Sequence, residues 1–169
     1  MLIVIGGLPG TGKTTLARGL ARALSGVHLR IDSIEQALLR ARGGDAYVGV
    51  EGYVVAYAVA EDSLRLGLSV VADCVNPLPA TRDTWRDIGQ RVGVPVIEVE
   101  TVCSDVVKHQ RRVETRQADI AGHRLPTWQD VLAHDYTPWD RERLVIDTAR
   151  QTVAQALTAL TELAQSKKR

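Results

Sequence analysis

The chain has no phenylalanine, one methionine and only two cysteines among its 169 residues. Aromatic residues amount to 4%, so the interior must be filled almost entirely by aliphatic side chains, and no stripe of alternating bases and aromatics is available for single-stranded nucleic acid. Cys74 and Cys103 each end or follow a short apolar segment, which predicts core thiols in a reducing cytoplasm rather than a disulfide framework. No apolar run nears the roughly 18 residues of a membrane span, and the chain opens directly on the strand-like Met1-Leu2-Ile3, so neither a spanning helix nor a signal peptide is expected. The charges nearly cancel, at a net +1, which leaves no global field for a nucleic acid or a membrane surface. The tail Lys167-Lys168-Arg169 is basic but short and reads as a solvated end. The four histidines show no metal-ligand spacing. Lysine is also scarce: Lys13 is the only one before Lys108, and arginine carries the other positive charges of that stretch.

That solitary lysine lies in the most informative segment. Residues 7–14 read Gly7-Leu8-Pro9-Gly10-Thr11-Gly12-Lys13-Thr14, a complete G-x-x-x-x-G-K-[ST] phosphate-binding loop. It follows the apolar Leu2-Ile3-Val4-Ile5 and precedes Leu16, Leu20 and Leu24 at helical spacing, which is the strand–loop–helix context the motif requires. Glycines let backbone N–H groups turn toward phosphate oxygens, and the helix N-terminus adds its positive dipole end. Lys13 is predicted on the β- and γ-phosphates of ATP. The Thr14 hydroxyl is predicted on Mg²⁺, with Gly7, Gly10, Thr11, Gly12 and Thr15 completing the nucleotide contacts.

Strand-like segments recur at 2–6, 27–31, 69–72, 94–99 and 143–146, separated by helical patterns at 13–24, 33–42, 50–66, 80–91, 104–117, 127–134 and 148–165. This alternation predicts an α/β fold with a parallel sheet covered on both faces. The length and the absence of repeats, low-complexity tracts or a linker predict one domain over 1–169, with a lid over about 104–134. The loops fall at Gly43-Gly44-Asp45, Asn76-Pro77-Leu78-Pro79 and Ala121-Gly122-His123-Arg124-Leu125-Pro126. Ligands of such sheets bind at the carboxyl ends of the strands.

Candidate chemistry falls at those ends. Asp32 closes the second strand-like segment, where a carboxylate can orient an acceptor hydroxyl and take its proton; Asp32-x-x-Glu35 also reads as a capping box. Asp73 closes the third, where a carboxylate serves the Mg²⁺ shell or the acceptor, and Asn76 lies close behind it. Arg111, Arg112 and Arg116 cluster on the predicted helix 104–117, with Arg112 and Arg116 one turn apart; arginines closing over a nucleotide stabilise the charge on a transferring phosphoryl group. Tyr53 and Tyr57 share a helix face that either packs in the core or lines an acceptor pocket, and Arg30 is left without a role.

Taken together, Gly7 to Thr15, Arg30-Ile31-Asp32-Ser33, Val71-Ala72-Asp73-Cys74-Val75-Asn76-Pro77, Arg111 to Arg116 and Gly122 to Pro126 resemble the small P-loop kinases that phosphorylate hydroxyl groups. These are the gluconate-kinase-like, chloramphenicol-phosphotransferase-like and polynucleotide-kinase-like enzymes. The resemblance implies a P-loop NTPase three-layer sandwich with a five-stranded parallel sheet in the order 2-3-1-4-5 and a helical lid. It implies Asp32 as base, Lys13, Arg112 and Arg116 as catalytic cations, Arg111 on the nucleotide, and Asp32, Asp73, Asn76 and Tyr53 toward the substrate, with Thr14 and Asp73 on Mg²⁺. Val75 stands where the family carries Thr, so the acceptor can differ. The leading expectation is an ATP- and Mg²⁺-dependent kinase acting on a small-molecule hydroxyl, such as an antibiotic or a sugar acid. A nucleotide-binding regulatory ATPase and a nucleic-acid 5′-hydroxyl kinase are the rivals; the near-neutral charge argues against the second.

Overall fold

The computed structural model describes residues 1–44 and 48–167; Asp45 of the first loop, Tyr47 and the tail residues Lys168 and Arg169 lie outside the described residues. Five strands, β1 (Leu2–Gly6), β2 (Val27–Arg30), β3 (Val70–Asp73), β4 (Val96–Val102) and β5 (Leu144–Asp147), form one sheet in the order β2-β3-β1-β4-β5. Every pairing is parallel. The expected order and class are therefore the observed ones. From β1 the chain first builds toward β3 and β2, then crosses to β4 and β5, so the loop after β1 sits where the strand order reverses.

The period of two along β1 divides the core. Ile3 and Ile5 face Leu16 and Leu20 of α1 (Lys13–Ala23) and Leu160 of α7 (Val153–Ser166). Leu2 and Val4 face Ala56, Ala60 and Leu64 of α3 (Glu51–Arg65), and Trp85 and Ile88 of α4 (Pro79–Val92). Two helical layers thus cover one sheet, and alanines at positions 56 and 60 let α3 approach it closely. Both cysteines are buried and free, as expected of core thiols.

Boundaries differ from expectation in four places. β4 runs to Val102 rather than ending at 99, because Glu100 interrupts the apolar pattern yet is ion-paired with Arg143. α7 begins at Val153 rather than 148, where Thr152 and Gln155 form a capping box. α5 (Val106–Thr115) stops before Arg116, which caps it in an extended conformation. α2 (Ile31–Ala41) starts directly after β2, with Arg30 as its N-cap and no side-chain cap. Asp32 therefore lies in the first turn of α2 rather than at the end of a strand, and the anticipated Asp32–Glu35 capping box does not form. The remaining helix, α6, is Trp128–Leu132.

Candidate active site

The phosphate loop is pinned before any ligand arrives. Gly7 adopts φ +139°, and a Cβ there would lie 2.3 Å from the Thr101 carbonyl, so only glycine lets the loop lie against the end of β4. The buried Thr11 hydroxyl shares a hydrogen bond of 2.8 Å with that of Thr101, which also bonds the Gly6 carbonyl at 2.9 Å. His109 of α5 meets the Pro9 carbonyl at 2.8 Å, and the Thr148 hydroxyl donates to the Thr11 carbonyl at 2.8 Å. Thr11, expected on the nucleotide, is thus engaged within the loop through its side chain.

The other face of the loop is open. Gly12 is the N-cap of α1 and brings no side-chain cap. The N–H groups of Lys13, Thr14 and Thr15 find no acceptor among the described residues. These orphan donors and the helix dipole point at one place, the arrangement that binds phosphate oxygens. Among the described residues the Lys13 ammonium reaches only the Leu8 carbonyl, at 3.4 Å. Burial pushes its pKa below the ordinary value, against the pull of Asp73 and then Asp32. A desolvated ammonium flanked by two carboxylates and lacking a close counterion is suited to an incoming anion.

A cleft of about 500 Å³ opens over these donors, lined among others by Lys13, Thr14, Arg30, Asp32, Arg112 and Arg116. The three lid arginines separate here. Arg116 has its Nε and Nη2 buried without a partner, and burial lowers its pKa while Asp32 pulls it up. Arg112 is held by Thr148, donating to its hydroxyl at 2.7 Å and to its carbonyl at 3.1 Å. It also borders a second cavity of about 510 Å³ between α1 and the loop after β5, which extends the phosphate site along Thr148–Thr152. Arg111, expected on the nucleotide, is exposed and lines neither cavity. Arg112 and Arg116 share the cleft although Arg116 lies beyond the helix.

On the acceptor side, Asp32 is 38% exposed and accepts from Arg30 Nη2 at 3.4 Å. Asp73 is 2% exposed and accepts from His28 at 3.3 Å, with Arg30 Nε 3.9 Å away. Neither Asp73 nor Asn76 nor Tyr53 lines the open cleft. Asn76 is fully buried at φ +53°, with both side-chain amide atoms unpartnered, and its backbone N–H donates to the Tyr53 hydroxyl at 2.9 Å. Tyr53 thereby shapes the loop after β3 and packs in the core beside Tyr57, the alternative reading of this pair. Of the two groups expected on Mg²⁺, Thr14 lines the cleft and Asp73 does not. No cluster of three or more His, Cys, Asp or Glu able to hold a metal exists among the described residues, and Mg²⁺ on a nucleotide needs only one or two protein groups beside phosphate and water.

Several residues of this region were given no part in the site by the sequence. Glu35, one turn after Asp32, has its pKa pushed up to about 7 by burial and by the neighbouring Asp32. His134 sits close enough to Lys13 for the ammonium to lower its pKa, after burial. Arg82 is wholly buried on α4. It donates to the carbonyls of Asn76 at 3.1 Å, Pro77 at 2.9 Å and Thr137 at 2.7 Å, and stacks 4.2 Å from the Trp139 ring. It ties the loop after β3 to the segment following the lid. Arg18 and Arg30 are the other two; Arg18 could have been found as the residue one turn beyond Thr14.

The loop, its orphan donors and the sheet order define a P-loop nucleotide-binding protein with a kinase-like fold. By sequence the chain belongs to the AAA domain family, whose model matches residues 2–134. Solved structures agree on the fold. A protein of Chloroflexus aurantiacus J-10-fl, described provisionally as a kinase, aligns over 98% of this chain and 96% of its own at 23% identity and a TM-score of 0.78. Kti12 of Chaetomium thermophilum, solved with ADP-AlF3, aligns over 99% of each chain at 21% identity and a TM-score of 0.70. A gluconokinase of Sinorhizobium meliloti 1021 aligns over 98% of this chain and 93% of its own at 20% identity and a TM-score of 0.66. No curated protein matches the sequence.

Proposed function

We propose that the protein is an ATP- and Mg²⁺-dependent kinase that transfers the γ-phosphoryl group to a hydroxyl of a small molecule in the cytoplasm. The observation that carries this reading is the presence of opposite groups in one cleft: Arg116, with two buried unpartnered nitrogens, and the desolvated Lys13 line it together with the carboxylate of Asp32. A phosphate-binding switch needs the first half only; transfer to an alcohol also needs a group that orients the hydroxyl and accepts its proton. The orphan N–H groups of Lys13 to Thr15 would bind the phosphates, and Lys13 and Arg116 would stabilise the charge that spreads over the transferring group. The Thr14 hydroxyl, on the cleft, would hold Mg²⁺, with the buried Asp73 contributing its charge nearby, and the ion would supply neutralisation of phosphate charge. Arg112, fixed by Thr148, would border the nucleoside end.

Asp32→Asn tests the reading. Asp32 caps no helix, so the amide should leave the melting temperature nearly unchanged, and ATP affinity should persist. Acceptor-stimulated ADP release, measured across a panel of hydroxylated metabolites and antibiotics, should fall by about 10²- to 10⁴-fold. Equal stimulated rates in variant and wild type would remove Asp32 from the mechanism. No stimulation by any acceptor would favour the regulatory ATPase.

A further inference from the structure

The cleft already holds an anion of the protein's own. Asp119, in the loop after α5, lies between two guanidinium groups. Arg30 Nη1 donates to both of its carboxylate oxygens, at 2.9 and 2.8 Å, and Arg18 Nη2 donates to the second. Arg30 is the built part of this arrangement. Its side chain is 10% exposed, its Nε is buried with no hydrogen-bond partner, and it stands at the junction of β2 and α2, where the backbone is fixed. Asp119 is 42% exposed and comes from an irregular loop. A rigid, largely desolvated cation, with Asp32 3.4 Å and Asp73 3.9 Å away, thus takes its closest carboxylate from an irregular loop.

We infer that Arg18 and Arg30 form an oxyanion subsite for the acceptor and that the Asp119 carboxylate fills it until the acceptor enters. The inference rests on the kinase reading and narrows its substrate class. The acceptor is a hydroxy compound that also bears a carboxylate or a phosphate, not a neutral alcohol. Position assigns the subsite to the acceptor rather than to the nucleotide. The same Arg30 whose Nη1 holds Asp119 has its Nη2 3.4 Å from Asp32, so an anion on this fork lies beside the proposed base. The transferring phosphoryl group has its own cations, Lys13 and Arg116. The exchange is even in charge, one carboxylate leaving as one oxyanion binds, and a planar guanidinium matches either anion with paired hydrogen bonds. It is also coupled to the lid. Asp119 tethers its loop to α1 and β2 through Arg18 and Arg30, and Arg40 of α2 holds the same loop at the Ala121 carbonyl. Displacing Asp119 frees one of these tethers, so acceptor entry and the position of the lid loop are linked.

Inorganic phosphate serves as the probe, titrated calorimetrically into the full chain in saturating Mg²⁺ and the non-hydrolysable analogue AMP-PNP, so that the nucleotide's own phosphate places are filled. Asp119→Ala removes the internal competitor and should bind phosphate at least about tenfold more tightly than wild type, on the scale of a charge-assisted hydrogen-bonded pair. The double variant Asp119→Ala/Arg18→Ala should lose that gain. Both positions are well exposed, and circular dichroism verifies folding. Equal phosphate affinity in wild type and Asp119→Ala overturns the subsite. A gain seen without AMP-PNP and abolished by it assigns the fork to the nucleotide and overturns the acceptor assignment. The two readings fail separately: an absence of acceptor-stimulated ADP release defeats the kinase while leaving the phosphate titration to decide the fork, whereas undiminished transfer to neutral alcohols with no phosphate gain defeats only the subsite.

Discussion

Glu35 shows how one side chain registers the site around it. A glutamate one turn after Asp32 would ordinarily be a solvated carboxylate with a pKa near 4.5, but burial and the adjacent Asp32 raise it to about 7. A Cβ on Gly52 would fall 2.4 Å from Glu35 Cγ, so the absence of a side chain on α3 is what admits Glu35 to this position. Because the folded protein binds this proton more tightly than the unfolded chain, ionisation opposes folding. Stability is therefore lost as pH rises from about 4.5 through about 7 and is fully lost above that. Solvent screening reduces the effect to on the order of 1 kcal/mol, or about 2–4 °C in a chain of this size. Wild type should lose that much melting temperature relative to Glu35→Gln between about pH 5 and pH 8. A difference between the two proteins that does not vary with pH would mean that Glu35 is solvated after all.

At the scale of the element, α5 and its cap divide the work of three arginines that look alike in sequence. Arg112 leaves the helix with both ends of its fork on Thr148, Arg116 leaves it with two nitrogens buried and unpaired, and Arg111 faces water. Arg116→Ala should therefore lower the phosphoryl-transfer rate by about 10³-fold with little change in ATP affinity, since its partner is the charge of the transition state. Arg112→Ala should act mainly on nucleotide affinity, because it removes a wall of the second cavity and the tie to the loop after β5. Steady-state kcat and KM for ATP, measured on both, decide this division; a loss confined to kcat in Arg112→Ala and absent in Arg116→Ala would reverse it.

At the scale of the whole molecule, the loop after β1 is the point where both helical layers and both halves of the sheet meet, so a ligand there is felt globally. A nucleotide that binds only the folded state adds about 2.7 kcal/mol at a concentration of one hundred times Kd, which raises the melting temperature by roughly 5–11 °C in a chain of this size. Mg·ATP should produce such a shift in wild type. Lys13→Ala should lose most of it at the same nucleotide concentration without lowering the melting temperature of the free protein, since burying an ammonium without a close counterion costs stability. An undiminished shift in the variant would take the lysine out of phosphate binding.

What the sequence determined by itself is local in its physics. Glycines at 7, 10 and 12 dictate left-handed turns, the helix after them begins without a cap, and alternating short apolar segments and amphipathic helices specify a parallel sheet with two covering layers. Each of these follows from neighbours within a few residues, so the phosphate loop and the parallel class of the sheet were legible, whereas the strand order was implied only by the resemblance to P-loop kinases. What only the tertiary structure decided depends on groups far apart in the chain. Glu100 falls just past the expected strand end at 99 until Arg143 pairs with it. Asp32 reads as a strand end until β2 passes without a loop into α2. Arg82 lies in the expected helix 80–91 with no sign in the sequence that the carbonyls of residues 76, 77 and 137 converge on it. Arg30 was left without a role, because Asp73 comes to it from the neighbouring strand and Asp119 from the lid loop. A charged side chain carries no local signature of its partner. Burial fixes which charges must be paired, and only the fold fixes with what.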